Sequence, residues 1–238
     1  MTMLSAADLR DTLTDMVHQH DPQGTNRALR RMVVIGHSQG GLLAKMTAVA
    51  PGDRLWKAIS DQSLDDMDAN EEFKAMARRM FFFEPLPFVT RVVFIATPHR
   101  GSFRTTEWVR NLVRRIITMP VDIFTLNPDI YTALSYQLTL PSFMRNRVPT
   151  SIDSMTSDNP TLQALAALPL APGVAGHSII AVLPGMEIET GNDGVVEFRS
   201  ARIEGMESEF IVRFGHSAQG HPFTIEEVRR ILREHIKE

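Results

Sequence analysis

The 238-residue chain has no cysteine. That excludes a disulfide framework, a thiolate nucleophile and a cysteine-bound metal. No stretch approaches the roughly 20 apolar residues that a membrane-spanning helix requires. The opening MTMLSAADLRD turns acidic at Asp8 and lacks the apolar run of a secretory leader. Neither charge sign dominates: 25 Lys and Arg stand against 28 Asp and Glu, for a formal net charge of −3. Such a surface has no electrostatic footprint for nucleic acid or an anionic membrane. Tyr and Trp number two each, against 13 Phe and 13 Met. Apolar bulk of that kind fills irregular core space or lines an adaptable pocket. There is no internal repeat and no low-complexity tract. The expectation is a soluble cytoplasmic protein, 43% hydrophobic, of one domain or a domain with a small cap.

Arg31–Gly41, RMVVIGHSQGG, organises the rest. Met32, Val33, Val34 and Ile35 read as a buried strand, and Leu42–Met46 as the start of a helix. Between them Gly36-His37-Ser38-Gln39-Gly40 has the G-x-S-x-G form of a nucleophile elbow. By composition alone such a pentapeptide arises in roughly one chain in ten of this size or fewer; the flanking strand and helix make it specific. The turn is tight enough to strain the serine backbone. Gly36 and Gly40 are expected because a Cβ at either would strike neighbouring backbone.

Elsewhere the periodicity predicts helices and three more strands. Ser5 to about Gln19 reads as a helix with a capping-box start at Ser5 and Asp8 and an apolar face of Leu9, Leu13, Met16 and Val17. A short helical piece follows at Asn26–Arg30. Asn70 is an N-cap before Glu71 and Glu72. Strands are predicted at Val92–Ala96, Ser178–Leu183 and Glu209–Phe214. Between Phe103 and Gly176 no strand signal occurs. Helices are predicted there around Trp108, Leu112 and Ile116, after Asn127-Pro128, and after Asn159-Pro160; Arg110, Arg114 and Arg115 read as a solvated face of the first. Thr224 and Glu227 form a capping box for a last helix with Ile225, Val228, Ile231 and Leu232 inward. Strands alternating with helices give a parallel sheet with right-handed crossovers.

Serine needs a base to take its proton, and the base needs an anion to fix its tautomer. The chain order Ser, acid, His is supplied at strand ends by Ser38, Asp193 and His216. Asn192-Asp193-Gly194 is equally good turn chemistry, and Glu187 and Glu189 lie nearby. His216 ends a strand directly; its competitor His221 precedes Pro222 and suits a structural role. His37 reads as packing or tuning. A His99–His177 metal pair lacks supporting ligand spacing, so no metal and no cofactor is expected. His18, His20 and His235 read as surface residues.

The elbow, Thr97-Pro98-His99-Arg100-Gly101-Ser102, Gly191-Asn192-Asp193-Gly194-Val195-Val196 and Gly215-His216-Ser217 together resemble the α/β-hydrolase family on its bacterial esterase and lipase side. The resemblance implies a serine hydrolase cleaving carboxylic esters through an acyl-enzyme, with a small-molecule ester as its substrate. It implies a core of residues 1–102 and 177–238 and a helical cap at 103–176. His99 would shape the pocket floor. It also implies that the Gln39 N–H is one oxyanion donor. The N-terminal strands of the complete fold, and the loop supplying its second donor, have no counterpart before Arg31. The expected fold is therefore an N-terminally truncated one. Its elbow strand lacks a partner on the outer edge, which makes self-association through that edge an expectation. The alternatives are a truncated, weakly active or non-catalytic protein, and a thioesterase or acyltransferase on the same triad.

Overall fold

The computed structural model describes residues 2–102 and 159–237. Helix α1 (Thr2–His20) precedes β1 (Met32–His37), α2 (Gln39–Lys45), the single turn α3 (Arg54–Lys57), α4 (Glu71–Phe81) and β2 (Val89–Ile95). After residue 158 come α5 (Pro160–Ala167), β3 (Ala175–Ala181), the short α6 (Phe198–Ala201), β4 (Ser208–Val212) and α7 (Pro222–Lys237). The four strands form one sheet in the order β1-β2-β3-β4, every pairing parallel. This is an α/β fold with helices on both faces of a parallel sheet. Of the insertion expected at 103–176, residues 103–158, with the helices expected near Trp108 and Asn127, lie outside the described residues.

Side-chain alternation along the strands splits the core into two faces. Val92 and Phe94 of β2 pack with Ala44, Ala48, Leu13, Val17 and Val34 on the side of α1 and α2. Val93 and Ile95 pack with Ile179, Val212, Ala218 and Ile231 on the side of α7. β1 departs from its expected burial on both faces. Met32–Val34 are only partly covered and Ile35 is 42% exposed. The cause is its place at the sheet edge: among the described residues only β2 pairs with it.

Two capping boxes do not form. α1 already begins at Thr2, so Ser5 and Asp8 lie inside it, and Thr2, Ala6, Ala7 and Arg10 are its buried residues. α7 begins at Pro222, where proline at the first position needs no N–H partner. His221 caps it, its Nδ1 accepting from the Phe223 N–H at 3.3 Å. The helix is thereby phased so that Thr224 and Ile231 are buried and Ile225 points outward. Residues 27–30 form turns rather than a helix. Asn70 and Asn159 cap as expected, each side chain accepting from the N–H three residues on.

His235 is buried, not a surface residue. It is held beneath the sheet by a guanidinium that the strand periodicity did not flag. Arg91, 2% exposed, donates from Nη1 to His177 Nε2 at 2.5 Å and from Nε to His235 Nδ1 at 3.3 Å. An arginine only donates, so both ring nitrogens accept. His177 then carries its proton on Nδ1 and donates to Ser208 Oγ at 2.7 Å. His235 carries its proton on Nε2 and donates to the Arg31 carbonyl at 2.8 Å. The arrangement ties the base of β1 to α7 across β2 and β3.

A pH dependence follows. Burial, then the Arg91 charge, holds His177 below its ordinary value; burial does the same to His37 and, most strongly, to His99. A depressed imidazole takes its proton in the unfolded chain before the folded one. Stability is therefore full above about pH 6.5 and is lost as pH falls from there toward the folded values, by at most about 1.4 kcal/mol per pH unit per group. Urea unfolding between pH 7.5 and 5.5 is expected to show a falling midpoint, and His177→Asn a shallower fall. A midpoint flat across that range would contradict it.

Candidate active site

Ser38 follows β1 with φ 55° and ψ −127°. This is a left-handed value that costs a non-glycine residue about 1–3 kcal/mol and marks sites where geometry is imposed. Two packing contacts impose it. A Cβ on Gly36 would overlap the carbonyl of Gly40 and the nitrogen of Gly41, and one on Gly41 would overlap the Thr97 side chain. The close approach expected at Gly40 is absent: a Cβ there meets nothing within 4 Å among the described residues. Gly41 is the second obligatory glycine, because Thr97 at the end of β2 wedges against α2. Ala96 beside it, with φ 47°, is the other left-handed non-glycine residue among those described.

The chain brings Ser38, His216 and Asp193 together from the ends of three strands. Ser38 Oγ lies 2.8 Å from His216 Nε2, and His216 Nδ1 lies 2.8 Å from Asp193 Oδ2. Asp193 and His216 are 3% and 4% exposed, so the pair is shielded from water. The second carboxylate oxygen, Oδ1, accepts from the N–H groups of Val195 and Val196 at 2.9 and 2.7 Å. The turn chemistry of Asn192-Asp193-Gly194 and the contact to His216 are thus one structure: the turn holds the carboxylate toward the ring. An ionised carboxylate only accepts, so His216 bears its proton on Nδ1. Its Nε2 lone pair is left for the Ser38 hydroxyl.

His221 is not brought to Ser38; its ring packs between Phe214 and Phe223 at 4.8 and 5.4 Å. His99 is fully buried rather than part of an open floor. It meets Phe94 edge-on at 4.8 Å, and neither ring nitrogen finds a hydrogen-bond partner among the described residues. His177 is held by Arg91 and Ser208, so His99 and His177 do not converge. Among the described residues no group of three His, Asp or Glu side chains could hold a metal. The Gln39 side chain donates to Thr2 Oγ1 at 2.9 Å, which fastens α1 over the elbow. Its backbone N–H has no hydrogen-bond partner among the described residues.

Several supports went unread in the sequence. Ser102 Oγ donates to the Val195 carbonyl at 2.6 Å and Ser200 Oγ to that of Gly101 at 2.5 Å, which joins the Thr97–Ser102 turn to the loop carrying Asp193. Lys45, also buried, donates to the Ala166 carbonyl at 2.9 Å. Burial lowers its ammonium to about 7. Ser102 is legible only as the end of the Thr97–Ser102 segment, and nothing in the sequence marks Ser200; Lys45 stands in an Ala/Leu helix, whose apolar composition points to burial.

No family model matches the chain, and no curated protein does. Among solved structures it is similar to Bacillus licheniformis lipase BlEst2 in its propeptide form (12% identity, TM-score 0.43, 92% of this chain and 39% of that one). The mature form of the same lipase gives 13% identity and TM-score 0.43, over 90% and 67%. Staphylococcus hyicus lipase gives 13% identity and TM-score 0.45, over 87% of this chain and 70% of that one. The chain therefore spans well under half the length of the propeptide form.

Proposed function

We propose that the protein is a serine hydrolase that cleaves carboxylic esters through an acyl-enzyme. Ser38 is the nucleophile, His216 the general base and then acid, and Asp193 the anion that holds the histidine tautomer. The observation that carries this is the unbroken chain of contacts from Ser38 Oγ through His216 to Asp193, both at 2.8 Å, with Asp193 anchored by two backbone N–H groups. Attack on the ester carbonyl passes the serine proton to His216 Nε2. The imidazolium formed is stabilised by Asp193 and returns the proton to the leaving alcohol. Water repeats the sequence to release the acid. The Gln39 N–H, which has no hydrogen-bond partner among the described residues, is one donor to the oxyanion. Loss of such a donor typically costs about a hundred- to a thousand-fold in rate.

The test is labelling with a fluorophosphonate probe followed by peptide mapping, then rates on p-nitrophenyl esters and acyl thioesters. Stoichiometric label on Ser38, with faster ester than thioester turnover, is the expected result. Label without ester turnover would shift the assignment to thioesters or to acyl transfer. No label on a folded chain would overturn it.

A further inference from the structure

We infer that His37, the residue before the nucleophile, is a positioning residue for His216, acting through a hydrogen bond from its ring to the main chain of that histidine. The inference deepens the hydrolase reading above and rests on it for its kinetic consequence, though not for its structural one.

Among the described residues, β1 and β4 are the two edges of the sheet, with β2 and β3 between them. At an inter-strand spacing near 4.8 Å they stand about 14 Å apart. The segment after Val212 must arch across that gap to set His216 on Ser38. Among the described residues, the main chain of Gly215 and His216 makes no backbone–backbone hydrogen bond. One bond fastens it: His37 Nε2 lies 2.8 Å from the His216 carbonyl. A carbonyl only accepts, so His37 carries its proton on Nε2. Strand alternation makes this possible, because His37 lies on the same face as Val33, which packs against the core cluster that includes Val212 and Ala218. The base is therefore held at three points. Asp193 and Ser38 take its two ring nitrogens, and His37 takes its backbone. The nucleophile and the clamp on its base are adjacent in the chain, so any shift of the elbow carries both.

The ring centroids of His37 and His216 are 5.2 Å apart. A charged His37 would oppose the imidazolium that forms on His216 during turnover. Burial keeps His37 below its ordinary value, so it serves as a neutral donor.

The experiment uses the full chain and two variants, His37→Ala and His37→Gln; glutamine Nε2 can donate from nearly the same place. Two readouts are taken. The low-field NMR signal of the His216 Nδ1 proton reports the ring's placement whether or not the protein is active. Kinetics on p-nitrophenyl acetate report kcat and KM separately. His37→Ala is expected to broaden or lose the signal and to lower kcat about 10- to 100-fold with KM within twofold, as misplacement of a reacting group by an ångström does. His37→Gln should restore the signal and most of kcat. If His37→Ala leaves the signal sharp and kcat unchanged, the inference is overturned while the hydrolase reading stands. If the wild type has no esterase activity but the signal responds as described, the hydrolase reading fails and the positioning role stands.

Discussion

Replacing Ser38 by alanine is expected to reduce ester turnover by on the order of 10⁶-fold while leaving the fold in place. In the proposed mechanism the hydroxyl bonds to the acyl carbon; without it only binding and the Gln39 N–H would remain, which together give a small fraction of the rate. The stability side separates two small residues. Alanine keeps a Cβ, so the strain at φ 55° persists, and the Ser38→Ala protein should unfold within about 1 kcal/mol of the wild type. Glycine accepts a positive φ without that strain. Ser38→Gly, equally inactive, should be more stable than Ser38→Ala by about 1 kcal/mol, part of the relieved strain being offset by the greater freedom of glycine in the unfolded chain. Activity assays with urea unfolding of both variants check this. Retention of most of the rate in either would dismiss Ser38 as the nucleophile.

Removing the base should cost as much as removing the nucleophile, because such residues act as a unit. His216→Ala is therefore expected to match Ser38→Ala, and the double variant to be no worse than either alone. Asp193→Asn is expected to lower kcat by about 10⁴-fold. The amide can present its N–H toward His216, and the ring would then hold its proton on Nε2, facing Ser38 with no lone pair to offer. His221→Ala should cost less than tenfold in rate, since its ring nitrogen caps α7 and its contacts are to Phe214 and Phe223; a loss of helix capping would instead lower stability by about 1 kcal/mol. Steady-state rates for these five variants decide it. Comparable losses from His216→Ala and His221→Ala would remove the choice between the two histidines.

The part of the site that could be read from the chain was the part written in local chemistry. A G-x-S-x-G turn, an Asn-Asp-Gly turn and a histidine at a strand end each announce themselves within six residues, and the three meet in the structure. What could not be read depends on contacts between distant segments. Gly41 is required only because Thr97, 56 positions away by their numbers, occupies the space its Cβ would take. Arg91 sits in the middle of VTRVVFI and is tolerated there because His177 and His235 accept from it. The helix starts were misread for a subtler reason. Ser5-x-x-Asp8 and Thr224-x-x-Glu227 satisfy the local pattern of a cap, but at both ends of the chain the helix begins earlier, drawn by Gln39 holding Thr2 and by Pro222 preceded by His221. The apolar run Met32–Ile35 reads as a buried strand. Its outer edge, which has no described neighbour, leaves Ile35 at 42% exposure.

Among the described residues β1 and β4 stand at opposite edges of the sheet, and this makes the candidate site indivisible. Ser38 and His216 are 178 residues apart in the chain, and His216 and Asp193 are 23 apart. Because the first contact spans the whole width of the sheet, it closes only when β1 has joined β2 and β3 has joined β4. Parallel pairings of such long sequence separation are slow to form. No partly folded species with either edge strand adrift can carry the three side chains in register, and no fragment ending short of residue 216 contains them. The hydroxyl–imidazole contact thus requires both strands to be in place and is lost when either frays from the sheet.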